Sequence, residues 1–500
     1  MGAGESAWDR LGQHQRETQI IASIQSTLYW DQNTRMPPGG APWRGEQLTL
    51  LATQLHARQS SPAYSDLVKQ ARLDWQVSDR CPQRGRNLDL IELELKRQQA
   101  LDPALVAALA KAKSEGYNSW QQARATSDFS LFAPSLQRLV RLRQEQVQQL
   151  NESRSCWETL AQPFEPDLTL DRLRALFTPL RAKLQKLVCE VTSGKQSESL
   201  SWDLSESAQQ QLGDQLLKSW GWDQSITCLA RSPHPFSITL GPGDFRITTR
   251  VVNGQPLSCF LAVAHEAGHS LYEQALPNQS HQWFAWPLGQ ATSMSIHESQ
   301  SLFWENRIAR SRAFSSLWWK HFAEAGAPLH GADDLWRAMN PMAPGPNRVE
   351  SDELTYGLHI MIRSELEIAL LEEGMPVEDL PHQWNQKYKD LLGVTPADDA
   401  EGCLQDVHWS EGLFGYFPSY LLGHLVSAQL SETMTGAIGK PEDHVLAGDM
   451  QPVKSWLNAN VHSVGRSMNA FDLVEKVTGR PLTAEPFLAY LEGKTRELAS

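Results

Sequence analysis

The chain has 500 residues, 41% hydrophobic and 21% charged, which describes a globular protein with a large core and excludes a disordered chain. Its formal net charge of −13 would repel nucleic acid and anionic membrane surfaces, so we expect neither as a partner. The six scattered cysteines, the lack of a signal-peptide pattern and the lack of a long apolar run predict reduced thiols, no transmembrane helix and a cytoplasmic location.

Most of the chain shows the three- and four-residue spacing of apolar positions that is typical of amphipathic helices. Residues 136–150 and 170–191 are two clear cases, and each predicts a helix that buries one stripe. Residues 30–56 contain the sequence PPGG and predict a loop followed by a helix. The chemically informative motifs extend from about residue 234 to residue 420, so we expect residues 1–500 to form one catalytic domain.

The strand-forming residues are concentrated in one place. Residues 235–256, PFSITLGPGDFRITTRVVNGQP, place β-branched residues around a Gly-Pro-Gly turn and predict a small antiparallel sheet. Residues 257–276, LSCFLAVAHEAGHSLYEQAL, follow directly and predict a helix that is buried on more than one side. The sheet therefore lies beside this helix, where the two could form the wall of an active site.

The buried helix contains an HExxH pattern formed by His265, Glu266 and His269. Histidines four residues apart on a helix point the same way, so both can bind one zinc ion, and Glu266 can reach the water that the ion activates. These are the groups that a metal-dependent peptide hydrolase needs. On this motif alone, the alternative is a pair of core histidines with a chance glutamate between them.

A catalytic zinc ion takes three protein ligands and keeps an open position, so a third donor is expected downstream. Glu273 lies one turn beyond the motif, where it is better placed to support a histidine. Glu298 and Glu305 follow on a second predicted helix; Glu298 is the predicted ligand and Glu305 the alternative. Other HExxH classes need histidine at Ala275 or glutamate at Leu288, so their spacing does not fit.

Six motifs in a fixed order support a resemblance to a known family. They are HPF (234–236), DFRITTR (244–250), HEAGH (265–269), HESQS (297–301), NRVESDELTY (347–356) and GCLQDVHWSEGLFGYFPSY (402–420). With them, and with LYWDQNTRMPPGGAPWRGEQL near the N-terminus, the chain resembles the M32 family of metallocarboxypeptidases, typified by carboxypeptidase Taq, over nearly its whole length.

The resemblance implies a mainly helical, zincin-type metallopeptidase with a deep substrate groove, often a homodimer, that releases single C-terminal residues from peptides with broad specificity. Carried over by position, His265, His269 and Glu298 resemble the metal ligands of the family and Glu266 its general base. One divalent ion per chain is then expected, with zinc as the first choice and cobalt as the alternative. Two other functions remain open. One is a related helical zinc endopeptidase or dipeptidyl-type enzyme, and the other is a metal-free binding protein on a peptidase scaffold.

A carboxypeptidase also needs a fixed cation for the terminal carboxylate of its substrate, and the guanidinium group matches that geometry. Arg348 is the first candidate, because it resembles the arginine that the family has in this segment. Its alternative role is an ion pair at a helix start with Glu350 or Asp352. Arg246 is the second candidate, although it could instead shape the edge of the sheet.

Further candidates come from the last motif and from HPF. Tyr416 and Tyr420 are four residues apart and could stabilise the oxyanion of the transition state, or could simply pack with their hydroxyls at the rim. Asp406 and His408 could orient a ligand or the substrate, and His234 resembles the family's HPF histidine, which lines the groove. For these last three residues the alternative is a structural hydrogen bond.

Overall fold

The computed structural model describes residues 6–193, 202–277 and 283–499. Within these ranges it contains twenty α-helices. In chain order they are α1 (Ala7–Thr34), α2 (Ala41–Ser60), α3 (Pro62–Asp74), α4 (Pro82–Gln99), α5 (Pro103–Thr126), α6 (Ala133–Leu150), α7 (Cys156–Ala161), α8 (Leu170–Ser193), α9 (Glu206–Ser219), α10 (Ser258–Ala275), α11 (Met294–Leu302), α12 (Arg312–Glu324), α13 (Ala332–Met339), α14 (Glu353–Leu371), α15 (Leu380–Leu392), α16 (Pro418–Ile438), α17 (Pro441–Ala447), α18 (Gln451–Asn460), α19 (Ala470–Thr478) and α20 (Glu485–Ala499).

The mainly helical fold predicted from the sequence is confirmed. The periodic stretches 136–150 and 170–191 lie in α6 and α8. The loop predicted from residue 30 onwards is shorter than expected, because α1 continues to Thr34 and α2 already begins at Ala41. Between them, Pro38–Gly40 form a single 3₁₀ turn, so the prolines and glycines of PPGG break the helix over a few residues only.

A small sheet precedes the HExxH helix, as predicted, but its topology is mixed. Strands β2 (Ser237–Gly241) and β3 (Asp244–Thr249) form the expected antiparallel hairpin, whose turn includes Gly243 at φ 78°. A third strand, β1 (Thr227–Arg231), pairs with β3 in parallel, giving the order β1-β3-β2. The sequence did not predict β1, because its side chains are half-buried or exposed and do not alternate regularly.

The apolar side chains form two large clusters and a smaller one. The first includes residues of α5, α6, α8, α14, α15 and α20, and the second includes residues of α9 to α13 and α17 to α19. Helix α16 contributes to both, because it is apolar on nearly every side. The smallest cluster joins α1, α3 and α4. Among the residues described, no helix has the length and apolarity needed to cross a membrane.

Candidate active site

Helices α10 and α11 approach each other closely at a glycine of the HExxH motif. A Cβ atom on Gly268 would lie 2.7 Å from the backbone oxygen of Gln300 and 2.7 Å from the Cα atom of Ser301. Only glycine therefore fits at this position. The contact lies one residue before His269 and therefore brings α11 beside the part of α10 that carries this histidine.

As a result, His265, His269 and Glu298 have donor atoms that all lie within 4.8 Å of one another. Oε2 of Glu298 is 3.8 Å from Nε2 of His265 and 3.5 Å from Nε2 of His269. Ligands bound tetrahedrally to zinc at about 2.1 Å would be roughly 3.4 Å apart. The three side chains, which we call the metal cluster, therefore fit a single divalent ion with small adjustments.

Both histidine rings are held through their other nitrogen. Nδ1 of His265 donates to Oε2 of Glu305 over 2.9 Å, and Nδ1 of His269 donates to the backbone oxygen of His297 over 3.1 Å. These bonds leave Nε2 of each ring to face Glu298, as metal-binding histidines require. Glu305, the alternative ligand in the sequence prediction, thus orients His265 and lies outside the metal cluster.

The position of Glu305 depends on a local departure from α-helical geometry. Residues Phe303–Ala309 continue α11 as a π-helix, and π-helical turns change the direction of the side chains that follow. Oε1 of Glu305 accepts two hydrogen bonds from Arg310, over 3.1 and 2.8 Å. Burial opposes ionisation of Glu305, but Arg310 and His265 outweigh it and lower the pKa of this carboxyl to about 2.

The charged groups at the metal cluster act on one another. Burial disfavours the charged forms of both Glu298 and His265. The attraction between them nevertheless lowers the pKa of Glu298 to about 2. Glu298 together with Glu305 raises the pKa of His265 to about 10. Burial and the neighbouring His297 lower the pKa of His269 to about 3. A histidine binds a metal ion only in its neutral form, so we expect the metal affinity of this site to depend on pH.

Glu266 lies on α10 beside the metal cluster and is only 7% exposed. Burial raises the pKa of its carboxyl to about 7, and the negative charge of Glu298 acts in the same direction, while His265 opposes both. A carboxyl group with a pKa near neutrality can both accept and release a proton at the pH of a cell. The site thus combines three clustered donor atoms that could hold a metal ion with an adjacent buried carboxyl group.

Arg348 is buried and makes a different ion pair from the two that the sequence suggested. Its Nε and Nη2 donate to Oδ1 of Asp406 over 2.9 and 2.7 Å, and its Nη1 donates to the hydroxyl of Tyr356 over 3.2 Å. The alternative of an ion pair with Glu350 or Asp352 is wrong. Asp352 instead caps α14, where its carboxylate accepts two backbone N–H groups over 2.9 Å.

Asp406 is shared between two arginines. Its Oδ2 accepts a hydrogen bond of 2.6 Å from Nε of Arg363, a fully buried residue of α14. Despite burial, Arg363 and Arg348 hold the pKa of Asp406 well below its usual range. We call Arg348, Asp406 and Arg363 the arginine pair with its shared aspartate. The group carries one net positive charge, which is the charge needed to bind a carboxylate.

The sequence analysis missed Arg363, although a signal for it exists. Helix α14 is apolar for most of its length, yet Tyr356, His359, Arg363 and Glu367 recur at spacings of three and four residues. Such a stripe places polar side chains on one face of an otherwise buried helix. A polar stripe on an apolar helix predicts a buried polar network, because unpaired polar groups are costly inside a protein.

Three buried or partly buried tyrosines experience the charges of both Arg348 and Glu298. They are Tyr356, Tyr416 and Tyr420, and burial raises the pKa of each of them. The guanidinium carbon of Arg348 is 5.2 Å from the ring centre of Tyr420. The structure therefore brings both predicted tyrosines of the last motif close to the two charged groups of the site.

The remaining predicted residues are placed differently. Nε2 of His408 is 3.4 Å from the hydroxyl of Tyr420, so His408 belongs to the same group as the tyrosines. His234 is exposed in the loop between β1 and β2, and Arg246 binds Asp244 through two hydrogen bonds of 2.7 and 2.8 Å. Among the contacts of the described residues, neither His234 nor Arg246 touches the metal cluster.

Glu273 supports a histidine, as the sequence predicted, but the histidine is His297. Oε1 of Glu273 lies 3.1 Å from Nε2 of His297, and its Oε2 accepts a hydrogen bond of 3.2 Å from Thr239 on β2. The ring of His297 in turn stacks on that of His269, with centroids 4.3 Å apart. Glu273 therefore links the sheet to α11 beside the metal cluster.

Comparisons with known proteins agree with this geometry. The family described as carboxypeptidase Taq (M32) metallopeptidase matches residues 10–495. The chain is 36% identical to thermostable carboxypeptidase 1 of Thermus thermophilus, covering 98% of each chain, and 34% identical to carboxypeptidase 1 of Bacillus subtilis, covering 94% of each. It also resembles the crystal structure of the M32 carboxypeptidase of Deinococcus radiodurans, with a TM-score of 0.93, 31% identity and 99% of each chain covered.

Nearly full-length similarity to several carboxypeptidases, together with the intact donor set of the metal cluster, decides between the three functions that the sequence left open. The family implies a divalent metal ion and peptide substrates. The chain belongs to the M32 family of metallopeptidases, the carboxypeptidase Taq family, and is a metal-dependent carboxypeptidase.

Proposed function

We propose that the chain binds one zinc ion through His265, His269 and Glu298 and releases single C-terminal residues from peptides with broad specificity. The observation that supports this most directly is the convergence of the three donor atoms within 4.8 Å. Zinc, when bound, would activate a water molecule and polarise the scissile carbonyl group. Cobalt is the alternative ion, because the same nitrogen and oxygen donors accept both.

Glu266 is the proposed general base. It lies beside the metal cluster, where its carboxylate can take the proton of the attacking water and deliver it to the departing amine in the same turnover. A nearby cation favours the charged form of a carboxyl group, so a bound metal ion lowers the pKa of Glu266. Glu266 is then ionised at neutral pH and ready to accept the proton.

Arg348 is the proposed receptor for the terminal carboxylate of the substrate. Of its five N–H groups, two are bound by Asp406 and one by Tyr356, which leaves one on each terminal nitrogen for a ligand. Because the guanidinium is held in place before the substrate arrives, little side-chain entropy is lost on binding. An internal peptide bond has no carboxylate at this position and would leave the net positive charge of Arg348, Asp406 and Arg363 without an anion.

Tyr416 and Tyr420 are proposed to donate hydrogen bonds to the oxyanion of the transition state. Burial raises the pKa of Tyr416 to about 12, so its hydroxyl keeps its proton at neutral pH. His408, whose pKa is lowered by burial to about 4, is neutral and positions Tyr420. His234 and Arg246 are assigned to substrate binding on the resemblance of their motifs alone.

We also propose that the protein is a homodimer and acts in the cytoplasm. The support is the resemblance for the dimer and the six free cysteines for the compartment, since thiols stay reduced in the cytosol. Light scattering on the purified protein tests the dimer. A monomer at micromolar concentration, or protein found mainly outside the cell, would contradict these two assignments.

The decisive experiment uses a peptide with a free C-terminus and its C-terminally amidated twin. Each is incubated with the zinc-loaded protein, and the products are identified by mass spectrometry. We expect a ladder of single-residue losses from the free peptide and none from the amidated one. Internal cleavage of both peptides would show instead that the enzyme does not require the chain end. The ladder across different terminal residues measures how broad the specificity is.

A further inference from the structure

Glu165, in the turn after α7, is a fully buried acid, 0% exposed. Its carboxylate accepts hydrogen bonds from the backbone N–H of Ser295 and from the hydroxyl of Ser295, the latter over 2.8 Å. Burial raises the pKa of Glu165 to about 7, while these bonds and the hydroxyls of Ser293 and Ser419 lower it. Its partners are thus amide and hydroxyl groups, which together offset part of the cost of burial.

The serines around Glu165 lie at the starts of two helices of the active site. Ser293 is the N-cap of α11, Ser295 lies in its first turn, and Ser419 lies in the first turn of α16. The N-terminus of a helix attracts negative charge through its free N–H groups and its dipole. One buried carboxylate therefore binds the start of α11 directly, through Ser295, and lies near the start of α16. Helix α11 carries Glu298, and α16 carries Tyr420.

Phe164, the residue before Glu165, contacts the same two segments. Its backbone oxygen accepts a hydrogen bond of 3.0 Å from the N–H of Met294, the first residue of α11. Its ring packs edge-on against Tyr416, with centroids 4.9 Å apart. Residues 164–165 thus accept hydrogen bonds from the backbone amides of Met294 and Ser295 at the start of α11. Phe164 also contacts Tyr416, just before α16. We call these two residues the 164–165 turn.

The side chain of Glu298 lies directly against α16, so it has little room to adjust if the start of α11 moves. A Cβ atom on Gly423 of α16 would lie 2.9 Å from Cγ of Glu298, so the two helices are in direct contact at the metal cluster. A shift of α11 along α16 would press Glu298 against that backbone or draw it away from His265 and His269. The relative position of the two helices therefore decides whether the three donors meet.

We propose that Glu165 is a positioning residue that fixes α11 against α16 and thereby holds Glu298 in the metal cluster. This inference rests on the proposed function, in which Glu298 is a metal ligand. The 164–165 turn does not touch the substrate or the ion in this role. It sets the distance between α11 and the tyrosines Tyr416 and Tyr420. Loss of the Glu165 carboxylate therefore weakens metal binding even in a protein that still folds.

The chain offers a matched control in Glu367. It is also 0% exposed, and burial raises its pKa to about 7. Its carboxylate accepts hydrogen bonds from Trp157, Trp409 and Gly415 over 3.1, 3.0 and 2.8 Å. None of these three hydrogen bonds involves a residue of α11. Replacing Glu367 therefore disturbs a buried carboxylate of the same kind without removing a hydrogen bond to the helix that carries Glu298.

The experiment compares Glu165→Gln with Glu367→Gln. The zinc dissociation constant is measured by competition with a chelating dye, and the melting temperature is measured on the metal-free proteins. We expect both variants to melt earlier, but only Glu165→Gln to bind zinc about tenfold more weakly, which is the lower end of the losses seen when groups that orient metal ligands are removed. Wild-type zinc affinity in a folded Glu165→Gln protein, or an equal loss in both variants, would overturn the inference.

Two further variants keep the outcome interpretable. Glu298→Ala tests the ligand assignment itself: if it binds zinc as the wild type does, the proposed function fails at that residue. If Glu298→Ala loses zinc and Glu165→Gln does not, only the positioning role fails. Should Glu165→Gln not fold, Ser295→Ala removes one donor and keeps the carboxylate. A smaller loss of zinc affinity is then expected, and an unchanged affinity counts against the inference.

Discussion

The two halves of the site are built in different ways. In the metal cluster, two donors come from one turn of α10 and the third from the next helix, α11. In the arginine pair with its shared aspartate, the partners are 58 and 43 residues apart in the chain. The first arrangement follows largely from helix geometry. The second requires that distant segments fold together before any of its ion pairs exists.

The halves also differ in how they balance their charges. Asp406 neutralises one of its two arginines within the protein, so that half is formed without a ligand. At the metal cluster, Glu298 and the adjacent Glu305 surround His265 with negative charge, and a divalent cation bound there would supply the missing positive charge. We therefore expect metal removal to alter the metal cluster much more than the arginine pair.

The largest expected effect is on the metal half, from Glu266→Gln. The glutamine is of similar size but cannot accept the proton of the attacking water, so kcat/KM should fall about a thousandfold. Zinc content should stay at the wild-type level, because Glu266 is not one of the three clustered donors. Peptide hydrolysis assays and metal analysis on the same sample measure both quantities. Loss of zinc together with activity would mean that Glu266 also holds the ion.

A second test compares the two arginine candidates for the substrate carboxylate. Arg348→Ala should lower kcat/KM on free-carboxyl peptides about a hundredfold, because it removes a buried charge-assisted contact. Arg246→Ala is the matched variant, since Arg246 also pairs with an aspartate but on the sheet, and it should cost much less. If the larger loss followed Arg246→Ala, the anchor would lie on β3 and not beside Asp406.

A smaller effect, on the free energy of unfolding, is expected from adding a methyl group at the close contact between α10 and α11. In Gly268→Ala the new methyl group would meet backbone atoms at 2.7 Å, so the helices must separate at a cost of about 1–3 kcal/mol. Gly493→Ala on α20 is the control, because nothing lies within 4 Å of its Cβ position, and it should stabilise by about 0.5–1 kcal/mol. Chemical denaturation measures both changes. Similar free energies for the two variants would contradict the close approach.

The smallest expected effect concerns pH and Glu367, which lies one turn after Arg363 on α14. Glu367 has a pKa raised by burial from 4.5 to about 7, so the folded chain binds this proton more tightly than the unfolded chain. Its contribution to stability is present below pH 4.5 and is lost as the pH rises through about 7. Glu367→Gln cannot titrate, so its deficit in unfolding free energy should shrink from pH 5 to pH 8. A deficit that stays constant would mean that Glu367 is ionised throughout.

Much of the fold and part of the site could be predicted from the sequence, because they depend on local geometry. The period of apolar residues predicts the helices, and the four-residue spacing of His265 and His269 places both rings on one face of α10. The small number of acids after the motif pointed to Glu298. These features need only one turn of helix, or a short stretch of chain, to be specified.

Only the tertiary structure decided the rest. The parallel pairing of β1, the use of Asp406 by both arginines and the burial of Glu165 against α11 join residues far apart in the chain. The π-helix that aims Glu305 at His265 is likewise set by packing. Burial makes an unpaired charge costly. A buried acid or arginine therefore indicates that it has a partner. Only the folded chain shows which residue that partner is.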